Sequence, residues 1–196
     1  MNVIHFLGHK KSETNLINEL EERNYKVKFT NQKINLEYVK GSDLIISFGY
    51  RHILKSYFIN NCQCPIINLH ISYLPFNRGA HPNFWSFHDG TPSGVSIHLI
   101  DEGIDTGPIL FQKKVKFTDE KTFTQTYKRL FYEIENLFIA NIDSILNKNW
   151  IEKRQVGEGT FHFTKDLPNS FSGWNSNTVD EINRIKMMNN IVEFND

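Results

Sequence analysis

Two polar side chains, Asn68 and His70, end an apolar run at residues 66–70, and a polar stretch with two prolines, a glycine and an arginine follows. If the run is a strand, positions two apart share a face, so these side chains lie next to each other at its exit. Polar groups at the end of a buried strand are costly unless they have partners or a chemical task. The pair is therefore the first candidate for a catalytic site.

A second group of chemically capable residues lies at or just after another predicted strand, at residues 94–101. This group comprises His98, Asp101, Glu102 and Asp105. Ligands of open parallel sheets bind beyond the carboxyl ends of the strands. If the two strands are neighbours, we expect the two groups to face each other across a crevice.

An asparagine, one or two histidines and several carboxylates suit acyl chemistry at such a crevice. A neutral histidine beside a carboxylate acts as an acid or base near neutral pH, and an asparagine amide can donate to a developing oxyanion. No G-x-S-x-G nucleophile motif is present, which favours an external nucleophile that attacks a bound carbonyl. From the residues alone, a metal site of His70, His98 and Asp105 stays open, because two histidines and a carboxylate form a facial triad for iron or zinc.

The surrounding pattern predicts the elements that position these residues. Apolar runs predict strands at residues 2–7, 25–29, 43–49, 65–70, 94–101 and 109–117. Helical spacing predicts helices at residues 12–24 with Ser12 as cap, 52–59, 82–90, 121–147, and 178–194 with Thr178 as cap. Strands alternating with helices indicate an α/β fold with an open, mostly parallel sheet flanked by helices and a short C-terminal helical extension. We expect a catalytic domain at residues 1–150 and an extension at 151–196 that packs on the same domain.

Composition restricts the classes of function. Lys plus Arg and Asp plus Glu both number 22 among 196 residues, and this zero net charge argues against a nucleic-acid-binding protein. No apolar stretch is long enough for a membrane span, and the N-terminal apolar run is too short for a signal peptide. Cys62 and Cys64 cannot complete a four-cysteine zinc site, so we expect reduced thiols in a cytoplasmic protein.

The two segments INLHISYLPFNRGAHP and GVSIHLIDEGIDTGPIL together resemble the folate-dependent formyltransferase superfamily. The shared features are Asn-x-His at a strand end, then Leu-Pro and Arg-Gly, and then Gly-Val-Ser-x-His with an Asp seven residues after that histidine and a Gly two residues further on. In this chain the matching positions are Asn68, His70, Leu74, Pro75, Arg78, Gly79, Gly94, Val95, Ser96, His98, Asp105 and Gly107. The resemblance is good over residues 43–117.

The resemblance implies a Rossmann-like domain that uses 10-formyltetrahydrofolate as co-substrate and needs no metal. It implies a catalytic set of Asn68, His70 and Asp105. It also implies that two segments enclose the pterin, with Arg51, His52, Ile53 and Leu54 on one side and Asp101, Glu102 and Gly103 on the other. The family often has arginine where His52 stands.

The resemblance leaves several acceptor amines open. The chain lacks the glycine/serine phosphate-binding turn of the glycinamide ribonucleotide enzymes. It also leaves too little sequence for the extra C-terminal barrel of the methionyl-tRNA enzymes. The segments NRGAHPNFWSF and GTFHFTKDLP resemble the nucleotide-amino-sugar enzymes, so a nucleotide sugar is the expected acceptor. Alternatives are a formyltetrahydrofolate hydrolase, a metal-dependent hydrolase, or a non-catalytic folate- or nucleotide-binding module.

Two further residues are predicted to contact the acceptor. Arg78 belongs to the Arg-Gly pair, and Trp174 lies among small and polar residues that offer it little core. A tryptophan in such a loop is suited to stack on a nucleotide base or to enter a subunit interface, so a homodimer is also expected. Phe84 and Trp85, in contrast, are predicted to pack in the core.

Overall fold

The computed structural model describes residues 1–193, with side chains described as far as residue 188. Its strands are β1 (Val3–Gly8), β2 (Lys26–Thr30), β3 (Leu44–Phe48), β4 (Ile66–His70), β5 (Arg78–Gly79), β6 (Gly94–Leu99), β7 (Ile109–Lys114) and β8 (Phe161–His162). Its α-helices are α1 (Leu16–Glu22), α2 (Ser56–Asn61), α3 (Pro82–His88), α4 (Phe123–Leu146) and α5 (Thr178–Glu193).

The main sheet has six strands in the order β2-β1-β3-β4-β6-β7. The first four are parallel, whereas β6 pairs antiparallel with β4 and β7 pairs antiparallel with β6. The prediction of an α/β fold with an open, mostly parallel sheet is therefore confirmed. A separate parallel pair, β5 with β8, joins residues 78–79 to residues 161–162.

One face of the main sheet carries the larger apolar core. Alternate strand residues point toward α1 and α4, as period-2 alternation requires. This core includes Ile4, Phe6, Leu44, Ile46, Ile67, Leu69, Val95 and Ile97 from the strands, and Leu130, Ile134, Phe138 and Ile142 from α4. These residues are at most 3% exposed, so this face anchors the strands that carry the site.

The opposite face changes character along the strands. Near α2 it is apolar, with Leu7, Ile45 and Ile66 packed around Phe58. Further along β3, β4 and β6 it becomes polar, and the side chains there are Ser47, Asn68, His70, Ser96 and His98. The candidate catalytic residues therefore lie on the sheet face where the apolar core ends.

A third apolar cluster attaches the C-terminal segment to the sheet domain. Ile182 and Ile185 of α5 pack against Phe84, Trp85 and Phe123. Phe84 and Trp85 are 0% and 5% exposed, which confirms the prediction that they belong to the core.

Two predicted helix caps are wrong. Ser12 lies in a turn, and α1 begins at Leu16 because the Glu135 carboxylate of α4 accepts hydrogen bonds from the Asn15 N–H and the Thr14 hydroxyl. At α5 the cap is Asn177, whose side-chain oxygen accepts from the two following helical N–H groups, and Thr178 is the first helical residue. The predicted end of that helix at residue 194 lies outside the described residues.

The predicted helix at 52–59 is displaced toward its C-terminal side, because α2 begins at Ser56 and residues 51–55 form a loop. Helix α4 matches its prediction closely, and a capping box between Thr122 and Gln125 fixes its start. Within residues 1–193, no helix is both long and apolar enough to cross a bilayer.

Candidate active site

The register of β4 and β6 brings the two predicted groups together. Asn68 stands directly opposite His98, and His70 stands opposite Ser96. The expectation that the two strands are neighbours is confirmed, but their antiparallel pairing sends the end of β6 away from His70. The loop at residues 100–108 must therefore turn back to return Asp105 to the strand.

Local backbone geometry allows this return. Asp105 has φ of 54°, a left-handed conformation that is uncommon for a residue with a side chain. A Cβ atom on Gly107 would lie 1.8 Å from the Leu99 carbonyl oxygen, so only glycine fits there. The Asp-x-Gly spacing thus has a steric reason.

Asp105 is the centre of the site because its two oxygens face different partners. Oδ1 accepts from Asn68 Nδ2 at 3.0 Å and lies 3.4 Å from His98 Nε2. Oδ2 accepts from the Gly79 N–H at 2.8 Å and lies 3.6 Å from His70 Nε2. Burial alone raises the pKa of the Asp105 carboxyl, but both imidazoles and the Gly79 N–H outweigh it, so that pKa lies well below the usual range. Asp105 is therefore a carboxylate.

Backbone carbonyls determine which ring nitrogen carries a proton in each of the two histidines, His98 and His70. His98 Nδ1 lies 2.8 Å from the Leu99 carbonyl and must donate to it, so Nε2 is the ring nitrogen that faces Asn68 Nδ2 at 3.2 Å and Asp105 Oδ1 at 3.4 Å. His70 Nε2 likewise donates to the Asn77 carbonyl at 3.2 Å. Both amide hydrogens of Asn68 are thus used within the protein, one on Asp105 and one on His98.

A cavity of about 160 Å³ opens over this network. Its floor contains Asn68, His98 and Asp105, whereas His70, 8% exposed, lies behind the carboxylate and is not part of the lining. The seven residues predicted to enclose the pterin all line this cavity: Arg51, His52, Ile53, Leu54, Asp101, Glu102 and Gly103. The structure therefore gathers the predicted folate residues and part of the predicted catalytic set into one space.

The two residues predicted to contact the acceptor lie elsewhere. Arg78 donates through Nε and Nη2 to the Gln155 side-chain oxygen, at 3.0 and 2.8 Å. Trp174, 41% exposed, lines a separate cavity of about 320 Å³ together with Ile71, the residue after His70. Its ring also packs on Phe171, so the loop gives it more contact than its small and polar neighbours suggested.

Three groups that hold the site together were missed by the sequence analysis: the Asn77 carbonyl, the Gly79 N–H and the Gln155 amide. Gln155 Nε2 donates to the carbonyls of Asp105 and Gly107, at 2.8 and 2.9 Å. Backbone groups have no sequence signal, and Gln155 lies fifty residues from Asp105 in the chain. In the sequence, only the Arg78-Gly79 pair indicated that the chain near Asn77 and Gly79 belongs to the site.

The metal interpretation lacks a preformed set of donors. Among residues 1–188, no three His, Cys, Asp or Glu side chains are arranged to hold an ion. Asp105 lies between the two imidazoles and turns a different oxygen to each, with Asn68 Nδ2 against the oxygen that faces His98. Asn68 joins Asp105 and His98 by hydrogen bonds, and His70 bonds to the Asn77 carbonyl, so the three residues are not arranged as a facial triad.

Comparison with known proteins agrees with the resemblance of the motifs. Residues 6–142 match the family model described as formyl transferase. The chain is 35% identical to the formyltransferase PseJ from Anoxybacillus kamchatkensis, solved with UDP-4,6-dideoxy-4-formamido-L-AltNAc and tetrahydrofolate. The TM-score is 0.82, and the match covers 90% of this chain and 96% of that one.

Two curated relatives extend the comparison. The dTDP-4-amino-4,6-dideoxyglucose formyltransferase of Mycobacterium tuberculosis is 31% identical over 131 residues, which is 67% of this chain and 55% of that protein. The methionyl-tRNA formyltransferase of Thermodesulfovibrio yellowstonii is 32% identical over 145 residues, or 74% of this chain and 47% of that protein. The chain thus spans about half the length of these relatives. By the family match over residues 6–142, the chain belongs to the formyl transferase family.

Proposed function

We propose that the protein transfers a formyl group from 10-formyltetrahydrofolate to a primary amine of a nucleotide-linked amino sugar. The observation that carries the proposal is the convergence of Asn68, His70 and Asp105 below a cavity lined by all the predicted folate residues. Similarity to PseJ along nearly the full length of both chains supports the sugar acceptor. In the reaction, the amine nitrogen bonds to the formyl carbon while the bond from that carbon to folate N10 breaks. One proton leaves the amine and one reaches N10.

The proposed roles follow from the network. Asn68 donates an amide hydrogen to the developing oxyanion, which requires that one N–H leave its present partner, Asp105 or His98. Protonated His70 adds positive charge on the same side. Asp105, an acceptor only, lies 3.6 Å from His70 Nε2 and assists proton transfer through water.

The cavity residues fit a flat polar ring such as a pterin. Ile53 and Leu54 offer apolar contact, and the backbone of the loop at 101–105 offers hydrogen-bonding groups. The loop itself is held by Asp101, whose carboxylate accepts from the Gly103 N–H and the Thr106 hydroxyl. We propose that these residues bind the formyl donor.

For the acceptor we propose a nucleotide-linked 3- or 4-amino sugar, held with help from Trp174 and Arg78. The cavity that Trp174 lines is also lined by Ile71, the residue directly after His70. Stacking of a base on an aromatic side chain contributes roughly 1–3 kcal/mol. Among residues 1–188, no carboxylate lies within salt-bridge distance of Arg78, so its charge suits an acceptor phosphate.

The function is tested by incubating the protein with 10-formyltetrahydrofolate and a panel of UDP-, dTDP- and GDP-linked amino sugars. Mass spectrometry should show one sugar gaining a single CO unit, with tetrahydrofolate released only when that amine is present. Release without any amine would instead identify a hydrolase. Folate binding without turnover on any amine would identify a binding module.

The acceptor assignment has its own test in tryptophan fluorescence. Titration with the accepted nucleotide sugar should quench emission, and a Trp174→Ala variant should lose most of that quenching and show a higher KM. Equal quenching and an unchanged KM in the variant would place the nucleotide elsewhere.

A homodimer in the cytoplasm completes the proposal. Exposed apolar side chains on the C-terminal segment, including Ile151, Val156 and Phe163, support a subunit contact. Light scattering of the purified protein decides between a monomer and a dimer.

A further inference from the structure

We propose that Gln155 is a positioning residue that holds Asp105 in its catalytic place, and that Arg78 fixes the orientation of Gln155. The role rests on the proposed formyl transfer. The assignment begins with geometry, because Gln155 Nε2 bonds to the carbonyl of Asp105 itself and to that of Gly107.

The orientation of the Gln155 amide follows from its partners. The two carbonyls can only accept, so the NH2 group must face them. Arg78 can only donate, so the oxygen must face the guanidinium, where Nε and Nη2 both reach it. All four hydrogen bonds are satisfied in this orientation and none in the flipped one.

Asp105 needs support at its backbone, because the bonds from Asn68 and the Gly79 N–H hold only its carboxylate. Its φ of 54° is unfavourable for a residue with a side chain, and Glu102, Gly103 and Ile104 just before it are exposed. Unfavourable backbone conformations persist where surrounding structure fixes them. Gln155 donates one hydrogen bond on each side of Thr106, to the carbonyls of Asp105 and Gly107. These two bonds restrain the turn that presents the carboxylate.

Gln155 belongs to a segment at residues 153–162 that braces both sides of the site. Lys153 and Ile109 exchange backbone hydrogen bonds at 2.9 and 2.8 Å, which attaches the segment to the strand after the Asp105 loop. Thr160 accepts from the Asn77 N–H at 2.7 Å and so steadies the carbonyl that orients His70. The segment thus connects the surroundings of both catalytic side chains.

The pKa of the Asp105 carboxyl reports its position, because that pKa depends on the charged and polar groups around it. His70 on β4 and His98 on β6 face the carboxylate, the Gly79 N–H of β5 donates to it, and Arg78 is separated from it by Gln155. Asp101 and Glu102 on the same loop and Arg51 and His52 across the cavity are the other charged or titratable groups there. If Asp105 moves away from its partners, its pKa rises toward the ordinary value.

The first experiment compares Gln155→Met with wild type. Methionine keeps the length and neutrality of the side chain but makes none of the four bonds. We expect kcat to fall roughly 10- to 100-fold, as misplacement of a catalytic group by about 1 Å typically does. We expect the KM for the formyl donor to stay within about threefold, because Gln155 bonds to none of the proposed folate-binding residues. Gln63→Met, at an exposed glutamine remote from the site, is the matched control and should keep full activity.

A double variant tests whether the effect passes through Asp105. In an Asp105→Asn background, Gln155→Met should lower the residual rate by less than about threefold, because coupled residues are not additive. Loss of the same factor in both backgrounds would overturn the proposal. So would an unchanged kcat in the single variant.

Two measurements cover the remaining outcomes. If Gln155→Met does not fold, Gln155→Glu replaces it in the test. The glutamate keeps an oxygen for Arg78 but turns its second oxygen toward the two carbonyls, so we expect this variant to fold and to lose kcat. Carboxyl ¹³C NMR needs no turnover, and it should show the pKa of Asp105 raised in Gln155→Met. If the pKa of Asp105 is the same in Gln155→Met and wild type, the positioning role is wrong, whether or not the protein transfers formyl groups. If the wild type is inactive but the pKa of Asp105 is raised in Gln155→Met, only the proposed function is wrong.

Discussion

Asn68 connects the side chains of Asp105 and His98 at the centre of the site. Its amide reaches Asp105 and His98 together, at 3.0 and 3.2 Å, so it orients the carboxylate in the free protein and is the proposed oxyanion donor in the reaction. An asparagine serves both tasks because its two N–H groups are separate donors.

Replacement of Asn68 by alanine should therefore reduce turnover strongly. Loss of one oxyanion donor typically lowers kcat on the order of 10²–10³-fold. Steady-state kinetics with the accepted amine provide the measurement, and binding of 5-formyltetrahydrofolate serves as the control for an intact cavity. Near-normal turnover in a folded variant would remove Asn68 from the catalytic set.

Asp105 makes the stability of the fold depend on pH. Because its pKa is depressed in the folded state, the carboxylate stabilises the protein above its unfolded pKa of roughly 4, and this stabilisation is lost as the pH falls toward the lower folded value. Wild type should thus exceed Asp105→Asn in free energy of unfolding by on the order of 2 kcal/mol at pH 7.

That difference should shrink as the pH is lowered below about 4, where the unfolded carboxyl becomes protonated. Urea titrations of both proteins at a series of pH values give the measurement. A constant difference between pH 7 and pH 3 would show that Asp105 does not carry this linkage.

At the scale of elements, the turn after β6 determines whether Asp105 reaches the site. Gly107→Ala places a Cβ against the Leu99 carbonyl, and we expect a cost of about 3 kcal/mol together with displacement of Asp105. Gly90→Ala is the control, since a Cβ there meets nothing within 4 Å and only its positive φ is unfavourable, at roughly 1 kcal/mol.

Thermal unfolding and kcat should separate the two glycine variants. Gly107→Ala should lose both stability and activity, whereas Gly90→Ala should lose a little stability and keep its turnover. Equal behaviour of the two would mean that the contact with Leu99 does not restrain the turn.

The sequence predicted elements well where the pattern was local. Apolar alternation identified β6 with its polar face of Ser96 and His98, and helical spacing identified α4 to within two residues at its start. It failed where distant groups decide the outcome. The start of α1 depends on Glu135, which is more than a hundred residues away from it in the chain, and no local pattern contains that partner.

The same distinction applies to the site. Asn68, His70 and Asp105 stand in short motifs and were identified, and the structure brings them together. The antiparallel direction of β6 was not predicted, because alternating residues fit either direction of pairing. Gln155 was missed because a lone glutamine has no pattern, and its function depends on which carbonyls the fold places beside it.

At the scale of the whole molecule, the C-terminal segment contributes to both core and site. Ile182 and Ile185 pack with α3 and α4, and Gln155 and Thr160 bond to the loops around Asp105 and His70. We therefore propose that residues 151–196 and the preceding domain unfold together, as one cooperative unit.

The proposal predicts the behaviour of two matched core variants. Ile185→Ala, in the C-terminal segment, and Ile142→Ala, in the main core, remove side chains that are 0% and 1% exposed. Each should cost about 2–5 kcal/mol and shift one common transition. Far-ultraviolet circular dichroism reports the helices, while fluorescence reports Trp85 in the third cluster, Trp150 beside the main core and Trp174 in the C-terminal segment. If Ile185→Ala produces an early fluorescence transition while the circular dichroism midpoint stays at the wild-type value, the extension unfolds separately and the single-unit proposal is wrong.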